Sequence, residues 1–269
     1  MVLDNASTDG TPDWLRAWAN HVHHADCMCL DHNVGGSGGF ATGIQTAINR
    51  GADWVWLMDD DAQPRSDALE QLMAVADKPD TVYGSLAVSG DDTAWPTPLL
   101  DSSAGANRVN DVPDVARVAF VPFLGFMIHR DLIQRIGLPD AGFFILGDDF
   151  EYCQRARQQG SDIVVVGRSR IDHPKAQRHP IRVPGRTITY LTLPPWKRYY
   201  DIRNRLLIAY QYFGVLSLLT QTIPGSFVRL WGALRYEKRK LAQLHAWAAG
   251  MIDGLLRRKG KRHPQWRIH

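Results

Sequence analysis

The sequence predicts an α/β fold with a mostly parallel central sheet, and two observations carry that prediction. Short apolar runs alternate with stretches of helical length over most of the first 170 residues. One run, residues 54–58, ends abruptly in three consecutive carboxylates, Asp59, Asp60 and Asp61. The chain has 269 residues, of which 45% are hydrophobic and 22% charged, so its composition is globular. We expect one large domain at residues 1–195 and a helical, basic extension at residues 196–269.

The chain opens with a strand end and a polar turn, residues 2–11, followed by a helix at residues 12–20. Pro12 at the first helical position, after Thr11 as a cap, fits a helix start. A polar turn between a strand and a helix offers hydrogen-bonding groups to a nucleoside. For these residues alone, a capped turn without a ligand is the simpler interpretation.

A second strand at residues 27–30 leads to a glycine-rich turn and then to a helix that ends near Asn49. Glycines at positions 35, 36, 38 and 39 permit positive φ angles and let backbone N–H groups approach an anion at a helix N-terminus. The pattern is neither a Walker loop nor a dinucleotide fingerprint. Its position one helix before the three aspartates strengthens the interpretation as a ligand site.

Residues 54–58 have the apolar continuity of a strand covered on both faces, and Pro64 should end the pairing. Three adjacent carboxylates repel one another, so a cation would offset their charge, and oxygen ligands suit Mg²⁺ or Mn²⁺. Because extended residues alternate in direction, Asp59 and Asp61 can converge while Asp60 points elsewhere. The alternative is that these acids only cap a helix at residues 66–76.

Further along, we expect a strand at 81–88, a long loop at 89–114, a strand at 118–128 and a short helix at 130–136. A second acidic group follows the apolar residues 143–146. Asp148, Asp149 and Glu151 lie in the first turn of a predicted helix, where the helix dipole stabilises negative charge. One of them, placed in a cleft, can act as a general base. Capping accounts for one of the three.

The strand at residues 163–166 leads to His173, which follows Asp149 by 24 residues. One helix and one strand fit that separation, so both side chains can reach the same edge of the sheet. An imidazole beside carboxylates suits Mn²⁺ as well as Mg²⁺.

Taken together, these motifs resemble those of glycosyltransferase family 2, and within it the galactofuranosyl and rhamnosyl transferases of bacterial cell-wall polysaccharide assembly. The resemblance covers residue 2 to about residue 215. Its motifs, in order, are residues 4–11, 33–40, 59–61 and 147–151, His173, and residues 199–205.

The resemblance implies a GT-A nucleotide-sugar-binding fold and an inverting transfer. It implies nucleoside contacts from Asp4 and Asn5, and a donor pocket shaped by Asn33 with Gly35, Gly36, Gly38 and Gly39. Asp59 and Asp60 would also contact the donor, while Asp59, Asp61 and His173 would hold the metal. Asp149 would be the base, with Asp148 and Glu151 beside it. Family members normally carry a further strand and helix before the first motif, so we expect the strand at residues 2–4 to lack its usual neighbour.

The implied reaction moves galactofuranose or rhamnose from a UDP- or dTDP-sugar to a glycan or polyprenyl-linked glycan, with Mn²⁺ or Mg²⁺ as cofactor. Two other functions stay open. One is a nucleotide-sugar pyrophosphorylase or hydrolase that uses the same carboxylates. The other is a catalytically impaired sugar-nucleotide-binding protein. Release of nucleoside diphosphate only in the presence of an acceptor separates the first function from the other two.

The charge is distributed unevenly along the chain. From Arg229 onward there are eleven Lys and Arg against two acids, which leaves the first 228 residues with 20 basic and 26 acidic residues. Apolar residues of helical spacing at 230–255, with Trp231 and Trp247, suit an interfacial helix on an anionic membrane. Packing on the catalytic domain or on another subunit is the alternative. We expect no nucleic-acid partner, since no recognisable nucleic-acid module is present.

No transmembrane helix is expected, because Gln211, Gly214 and Gln221 interrupt the apolar residues 206–223. The sequence shows no signal-peptide pattern, and Cys27, Cys29 and Cys153 have no CxxC spacing. We therefore expect a reduced, cytoplasmic setting, at most peripheral on the inner face of the cell membrane.

Overall fold

Strands and helices alternate along the first part of the computed structural model, which describes residues 1–101, 105–175 and 177–269. The strands are β1 (Val2–Asp4), β2 (Cys27–Cys29), β3 (Trp54–Leu57), β4 (Gln63–Pro64), β5 (Val82–Ser89), β6 (Asp92–Thr97), β7 (Ala106–Arg108), β8 (Val115–Arg117), β9 (Phe126–His129), β10 (Ile163–Asp172), β11 (Arg178–Val183) and β12 (Arg186–Leu191). The helices are α1 (Thr11–His21), α2 (Gly35–Asn49), α3 (Ala68–Met73), α4 (Arg130–Ile136), α5 (Asp148–Gln158), α6 (Pro195–Ile208), α7 (Gly214–Ser217), α8 (Ile223–Tyr236) and α9 (Lys240–Leu255).

The central sheet is mixed, not mostly parallel as the sequence predicts. Its strand order is β3-β9-β5-β10-β4, with β8 on β10 and with β6 and β7 beyond β5. The pair β5–β10 is parallel, whereas β9 runs antiparallel to both β3 and β5. The cause is β9, a short strand that enters between two strands of the opposite direction. Antiparallel neighbours of this kind need no helical crossover.

Strands β1 and β2 form a separate parallel pair. In the described part of the chain, β1 has no strand partner other than β2. Helix α2 packs against both β1 and β3 and so joins the small sheet to the large one.

The main core lies between the central sheet and helices α2, α4 and α5, where Ile44, Leu132 and Tyr152 are fully buried. Strand β3 contributes Val55 and Leu57 to this core, while Trp54 and Trp56 pack on the opposite face beside Tyr83 and Met127. Both faces of β3 are therefore covered, as its continuous apolar sequence predicts.

Several local predictions need correction. Pro64 does not end strand pairing, since it lies opposite Ile171 in the short ladder between β4 and β10. The segment 89–114 is not only a loop, because β6 and β7 lie in it; residues 102–104 of that segment lie outside the described residues. Of the strand predicted at 118–128, only its end belongs to β9. The helix predicted at 66–76 is the shorter α3.

At α1 the cap is Gly10 rather than Thr11. Gly10 has a φ of 77°, and the Asp9 carboxylate accepts hydrogen bonds from both the backbone N–H and the hydroxyl of Thr11. Glycine adopts this left-handed conformation without the steric cost that a threonine at the cap position would incur.

The C-terminal extension is helical, as predicted. Residues Pro195–Tyr236 form one continuous helical stretch of 42 residues, with π-helical turns at Ala209–Phe213 and Leu218–Thr222. This stretch is long enough, and with a mean hydropathy of 1.4 apolar enough, to cross a membrane, and 28% of its most apolar window is buried. The sequence predicts no transmembrane helix here, because polar residues interrupt the apolar run. By length and composition alone, this stretch nevertheless qualifies as a candidate span. Helix α6 packs along α9, and both contribute buried residues to the same clusters.

Candidate active site

The pairing of β4 with β10 brings Asp61 next to His173. Gln63 and Pro64 pair with Asp172 and Ile171, and the Arg65 guanidinium makes two 3.1 Å hydrogen bonds to the Asp172 carboxylate. As a result the loop with the three aspartates lies against the end of β10. The Nε2 atom of His173 is 3.2 Å from an Asp61 carboxylate oxygen.

The second site residue, His173, has one ring nitrogen in contact with Asp61 and one without a hydrogen-bond partner among the described residues. Its side chain is only 11% exposed, and its Nδ1 atom is buried without a hydrogen-bond partner among the described residues. A buried ring nitrogen without a partner costs free energy. A ligand or ion that occupies Nδ1 would remove that cost.

The carboxylate of Asp59 lies in a strongly acidic environment. Desolvation of the carboxylate, together with the charges of Asp61 and Asp148, raises its pKa to about 7 although the residue is exposed, while Lys197 on α6 acts in the opposite direction. A carboxylate in such surroundings is easier to ionise when a cation is bound nearby. The influence of Asp148 also shows that the two acidic groups predicted from separate parts of the sequence face one another.

Asp148 and Asp149 open helix α5, after Gly147. Burial raises the pKa of Asp148, although the Ser37 hydroxyl opposes that change. Burial also raises the pKa of Asp149 to about 7, with further contributions from the charges of Asp148 and Asp59. The Asp149 carboxylate accepts a 2.7 Å hydrogen bond from the backbone N–H of Phe150. A carboxyl group with a pKa near 7 has the basicity that proton abstraction at neutral pH requires.

Glu151, the third acid of the predicted cluster, does not join it. Its carboxylate is buried, binds the Arg155 guanidinium at 2.6 and 3.2 Å, and accepts a 2.5 Å hydrogen bond from the Tyr212 hydroxyl. A carboxylate engaged by a cation and a hydroxyl is a poor base. Glu151 therefore ties α5 to the C-terminal helices, while its charge still raises the pKa of Asp148, and its predicted place beside the base stays a prediction.

The glycine-rich segment lies in the first turns of α2 instead of preceding the helix. Gly35 has a φ of 76°, and a Cβ atom there would lie 2.1 Å from the carbonyl oxygen of Phe144. The backbone N–H of Ser37 donates to that same oxygen at 3.2 Å. Gly35 thus permits close backbone contact between α2 and the segment before α5, whereas Gly36 has open space around it.

The residues predicted to contact the nucleoside make hydrogen bonds within and between the segment that follows β1 and the start of α2. Asn5 accepts from the backbone N–H of Val34 at 2.9 Å and donates to the Gly35 carbonyl at 3.0 Å. Asn33 caps the Gly35 N–H at 2.8 Å, and the buried Asp4 accepts from Ser7 N–H at 3.0 Å. Gly38 and Gly39 face Val34 and Leu3. Asp60 lies exposed beside Asp59.

Two residues of α6 position the segment before α5, and the sequence alone did not reveal their role. Phe144 and Leu146 have φ angles of 67° and 68°, which turn their carbonyl groups in unusual directions. Buried Asn204 donates to the carbonyls of Phe143, Ile145 and Leu146, at 3.1, 2.8 and 2.7 Å. Buried Arg203 donates to Phe143 at 2.7 Å and to Gly142 at 3.0 Å. The motif at residues 199–205 pointed to this helix but not to these contacts.

The predicted metal ligands lie near one another, but their side chains do not converge on one point as a complete set of ligands would. Nowhere in residues 1–101, 105–175 and 177–269 are three His, Cys, Asp or Glu side chains close enough together to hold an ion by themselves. The Nε2 atom of His173 faces the Asp61 carboxylate and the pKa of Asp59 is raised, so a cation among these side chains would offset their charge. The donor set of carboxylates with one imidazole suits Mn²⁺ or Mg²⁺.

Residues 1–137, about half of the chain, match the family model described as glycosyl transferase family 2. This chain belongs to glycosyl transferase family 2. A similar family member is the galactofuranosyltransferase GlfT1 of Mycobacterium tuberculosis, 32% identical over 199 residues, a match that covers 70% of this chain and 65% of GlfT1. Another is the dTDP-rhamnosyl transferase RfbF of Shigella flexneri, 21% identical over 260 residues, which covers 95% of this chain and 85% of RfbF. The chain thus spans a little less than two thirds of the length of GlfT1.

A solved structure with the same fold is that of GalNAc-T7 with UDP, GalNAc and Mn²⁺. It matches 99% of this chain and 50% of its own, with a TM-score of 0.58 and 14% identity. The fold of this family 2 chain is GT-A, as the resemblance implies, and its sheet is mixed.

Proposed function

We propose that this chain is an inverting, metal-dependent glycosyltransferase that moves a sugar from a nucleotide diphosphate donor to a glycan acceptor. The observation that carries the proposal is the mutual influence of the two acidic groups. Asp148 raises the pKa of Asp59, and Asp59 raises that of Asp149. An inverting displacement requires a donor-binding group and a base close to one another, and the mutual influence of the two groups supports that arrangement.

In this proposal Asp149 is the base. The hydroxyl of the acceptor attacks the anomeric carbon from the face opposite the departing diphosphate, and Asp149 takes the hydroxyl proton. Because the pKa of Asp149 is about 7, the carboxylate is partly ionised at neutral pH and can accept that proton. Asp148 keeps the Asp149 pKa high, and the Gly35 contact together with Arg203 and Asn204 fixes the position of both residues.

Asp59, Asp61 and His173 would hold a divalent ion, as a carboxylate and imidazole donor set suits Mn²⁺ or Mg²⁺. Such an ion, when bound, supplies positive charge to the diphosphate of the donor. Support comes from the 3.2 Å approach of His173 Nε2 to the Asp61 carboxylate and from the Mn²⁺ in the structure of GalNAc-T7.

The donor is proposed to be UDP-galactofuranose or dTDP-rhamnose, by analogy with GlfT1 and RfbF. Asp4, Asn5, Asn33, Asp60 and the glycines of α2 are proposed to line its pocket. The acceptor is proposed to be a glycan, free or attached to a polyprenyl lipid. We also propose a cytoplasmic location with peripheral contact at the inner face of the cell membrane, supported by the excess of eleven basic residues over two acids from Arg229 onward. Association with another subunit stays open.

A donor screen tests the proposal. UDP-galactofuranose and dTDP-rhamnose are each incubated with Mn²⁺, with and without a glycan acceptor, and the release of nucleoside diphosphate is measured. We expect release from one donor only when the acceptor is present. Release without acceptor would instead identify a hydrolase, and donor binding without any release would identify an impaired sugar-nucleotide-binding protein.

A further inference from the structure

The irregular helical segment 209–222 exposes a row of large apolar side chains. We call these five residues the apolar ridge; they are between 44% and 76% exposed: Tyr210, Phe213, Val215, Leu216 and Leu219. No charged residue occurs between Arg205 and Arg229. Single exposed apolar residues are ordinary in soluble proteins, but five within ten positions form a patch of the kind that marks a binding surface.

The backbone of this segment contributes to the exposure. Two π-helical turns, Ala209–Phe213 and Leu218–Thr222, lie on either side of the short helix α7. π-Helical turns are rare and are frequently found at functional sites. Leu218 is buried while Leu216 and Leu219 point outward, so the segment is anchored on one side and bare on the other.

Positive charge lies next to the ridge. The guanidinium of Arg257 is 4.4 Å from the centre of the Tyr210 ring. Arg257 is exposed and directly follows two exposed leucines, Leu255 and Leu256, while the neighbouring Arg258 and Lys259 pair with Asp253 and Asp140. Apolar side chains with a basic border match a bilayer whose headgroups are anionic, because the apolar part enters the acyl region while the cations stay among the headgroups.

The ridge is also tied to the candidate active site. The Tyr212 hydroxyl donates to Glu151 in the first turn of α5 at 2.5 Å, and the rings of Phe213 and Phe150 lie 6.4 Å apart. A bilayer in contact with the ridge would therefore lie close to the helix turn that carries Asp148 and Asp149. A lipid-linked acceptor could present its glycan there without leaving the membrane.

The apolar stripe that the sequence suggested within residues 230–255 is only partly covered, since Leu241, Leu244 and Leu255 are exposed. Ala246, Ala249, Gly250 and Asp253 of α9 are buried, and α9 packs along α6. Leu241 is the most exposed apolar residue of α9, at 83%.

We propose that the apolar ridge is the membrane-binding surface of this protein, and that its occupant is a lipid bilayer with anionic headgroups. The binding itself is independent of the transferase activity. The statement that the bilayer presents a lipid-linked acceptor to Asp149 rests on the proposed function.

The test is flotation of the full chain with vesicles of phosphatidylcholine and phosphatidylglycerol in a 7:3 ratio, with pure phosphatidylcholine vesicles alongside. Leu216→Ser removes the most exposed ridge residue, and Leu241→Ser is the matched control on α9. We expect the unmodified chain to float with the mixed vesicles, Leu216→Ser to bind about tenfold more weakly, and Leu241→Ser to be unchanged. Melting temperatures of both variants should equal that of the parent, since each residue is exposed.

Unchanged vesicle binding by Leu216→Ser, or lost binding by Leu241→Ser, would overturn the assignment of the ridge. Equal binding to pure phosphatidylcholine would overturn the assignment of anionic headgroups. If the unmodified chain bound no vesicles and light scattering showed a dimer that Leu216→Ser dissociates, the occupant would be a second copy and the proposal would be wrong. Because vesicle binding uses no sugar donor, vesicle binding without transfer activity would contradict the proposed function alone.

Discussion

Asp149 combines the features expected of a base at neutral pH, namely a half-buried position, a raised pKa of about 7 and proximity to the acids that we propose bind the donor. Asp149→Asn keeps the size of the side chain and removes its basicity. We expect turnover to fall by about 10²–10⁴-fold while donor affinity stays near its original value, because general-base assistance typically contributes that much. Turnover numbers and donor dissociation constants of the two proteins provide the measurement.

Two neighbouring substitutions serve as controls for Asp149→Asn. Asp148→Asn should reduce turnover less, since Asp148 acts through the pKa of Asp149. Glu151→Gln should lower stability more than it changes the chemical step, because the partners of Glu151 are Arg155 and Tyr212. Full turnover in Asp149→Asn together with its loss in Asp148→Asn would move the base one position along the helix.

The raised pKa of Asp149 has a consequence for stability. The carboxyl group titrates near 3.8 in the unfolded chain and near 7 in the folded chain, so the folded chain holds its proton more tightly. The stabilisation is complete below about pH 3.8 and is lost as the pH rises through 7. Asp149→Asn does not titrate. The free energy of unfolding of Asp149→Asn, relative to that of the parent, should therefore be higher at pH 8 than at pH 5 by on the order of 1 kcal/mol. The melting temperature relative to the parent should rise in the same direction. A melting difference that does not change with pH would show that Asp149 is ionised across this range.

At the scale of elements, the placement of α5 depends on its contact with α2. Gly35→Ala would put a Cβ atom 2.1 Å from the Phe144 carbonyl oxygen, at a residue with a φ of 76°. We expect a loss of about 1–3 kcal/mol in stability, together with lower turnover as the first turn of α5 moves. Gly36→Ala is the matched control, because no atom lies within 4 Å of its Cβ position. Denaturant unfolding of both variants provides the test. Equal stability of the two variants would show that the contact is not rigid.

The elements that the sequence predicted well are those with strong local signals. Strand β3 is apolar on both faces, α4 and α5 have clear helical patterns, and Asp59 and Asp149 follow directly from the ends of such patterns. The pairing of β4 with β10 could not be read from the sequence, because two residues that include Pro64 carry no strand signal. The pairing is nevertheless what brings Asp61 to His173.

The contacts of Glu151 could not be predicted from the sequence for a related reason. It depends on Tyr212, which is 61 residues away in the chain, and on how α6 packs. Arg203 and Asn204 likewise bind backbone carbonyls about 60 residues away, whose directions follow from unusual φ angles. Long-range contacts with a bent backbone leave no periodic pattern in a sequence.

Over the whole molecule, the last residues fold back onto the segment that precedes the candidate base. The Gly260 N–H donates to the Gly142 carbonyl at 2.6 Å, and Lys259 pairs with Asp140 at 2.6 Å. Asp253 fixes this arrangement. Its buried carboxylate accepts hydrogen bonds from Tyr199, Arg262 and Trp266, at 2.6, 3.0 and 2.8 Å. The predicted extension at 196–269 is thus part of the wall of the site.

Asp253→Ala would leave three donors without their acceptor, of which Tyr199 is buried and Arg262 and Trp266 are half-buried. We expect stability to fall by about 3 kcal/mol, in the range found when a buried ion pair loses one member. Asp13→Ala is the control, because Asp13 pairs with Arg16 on the open surface and such pairs contribute little. Thermal or denaturant unfolding of the two variants makes the comparison. Equal effects would mean that the tail does not stabilise the fold.

The central claim is that two acidic groups, far apart in the sequence, share one cation-dependent site. Iron-directed backbone cleavage tests it most directly, since Fe²⁺ binds to oxygen and nitrogen donor sites about as well as Mn²⁺. With Fe²⁺, ascorbate and UDP, the account predicts cuts near residues 59–61, near residues 147–149 and near His173, all of which Asp61→Ala should abolish. Cuts at residues 59–61 that leave residues 147–149 intact would contradict it.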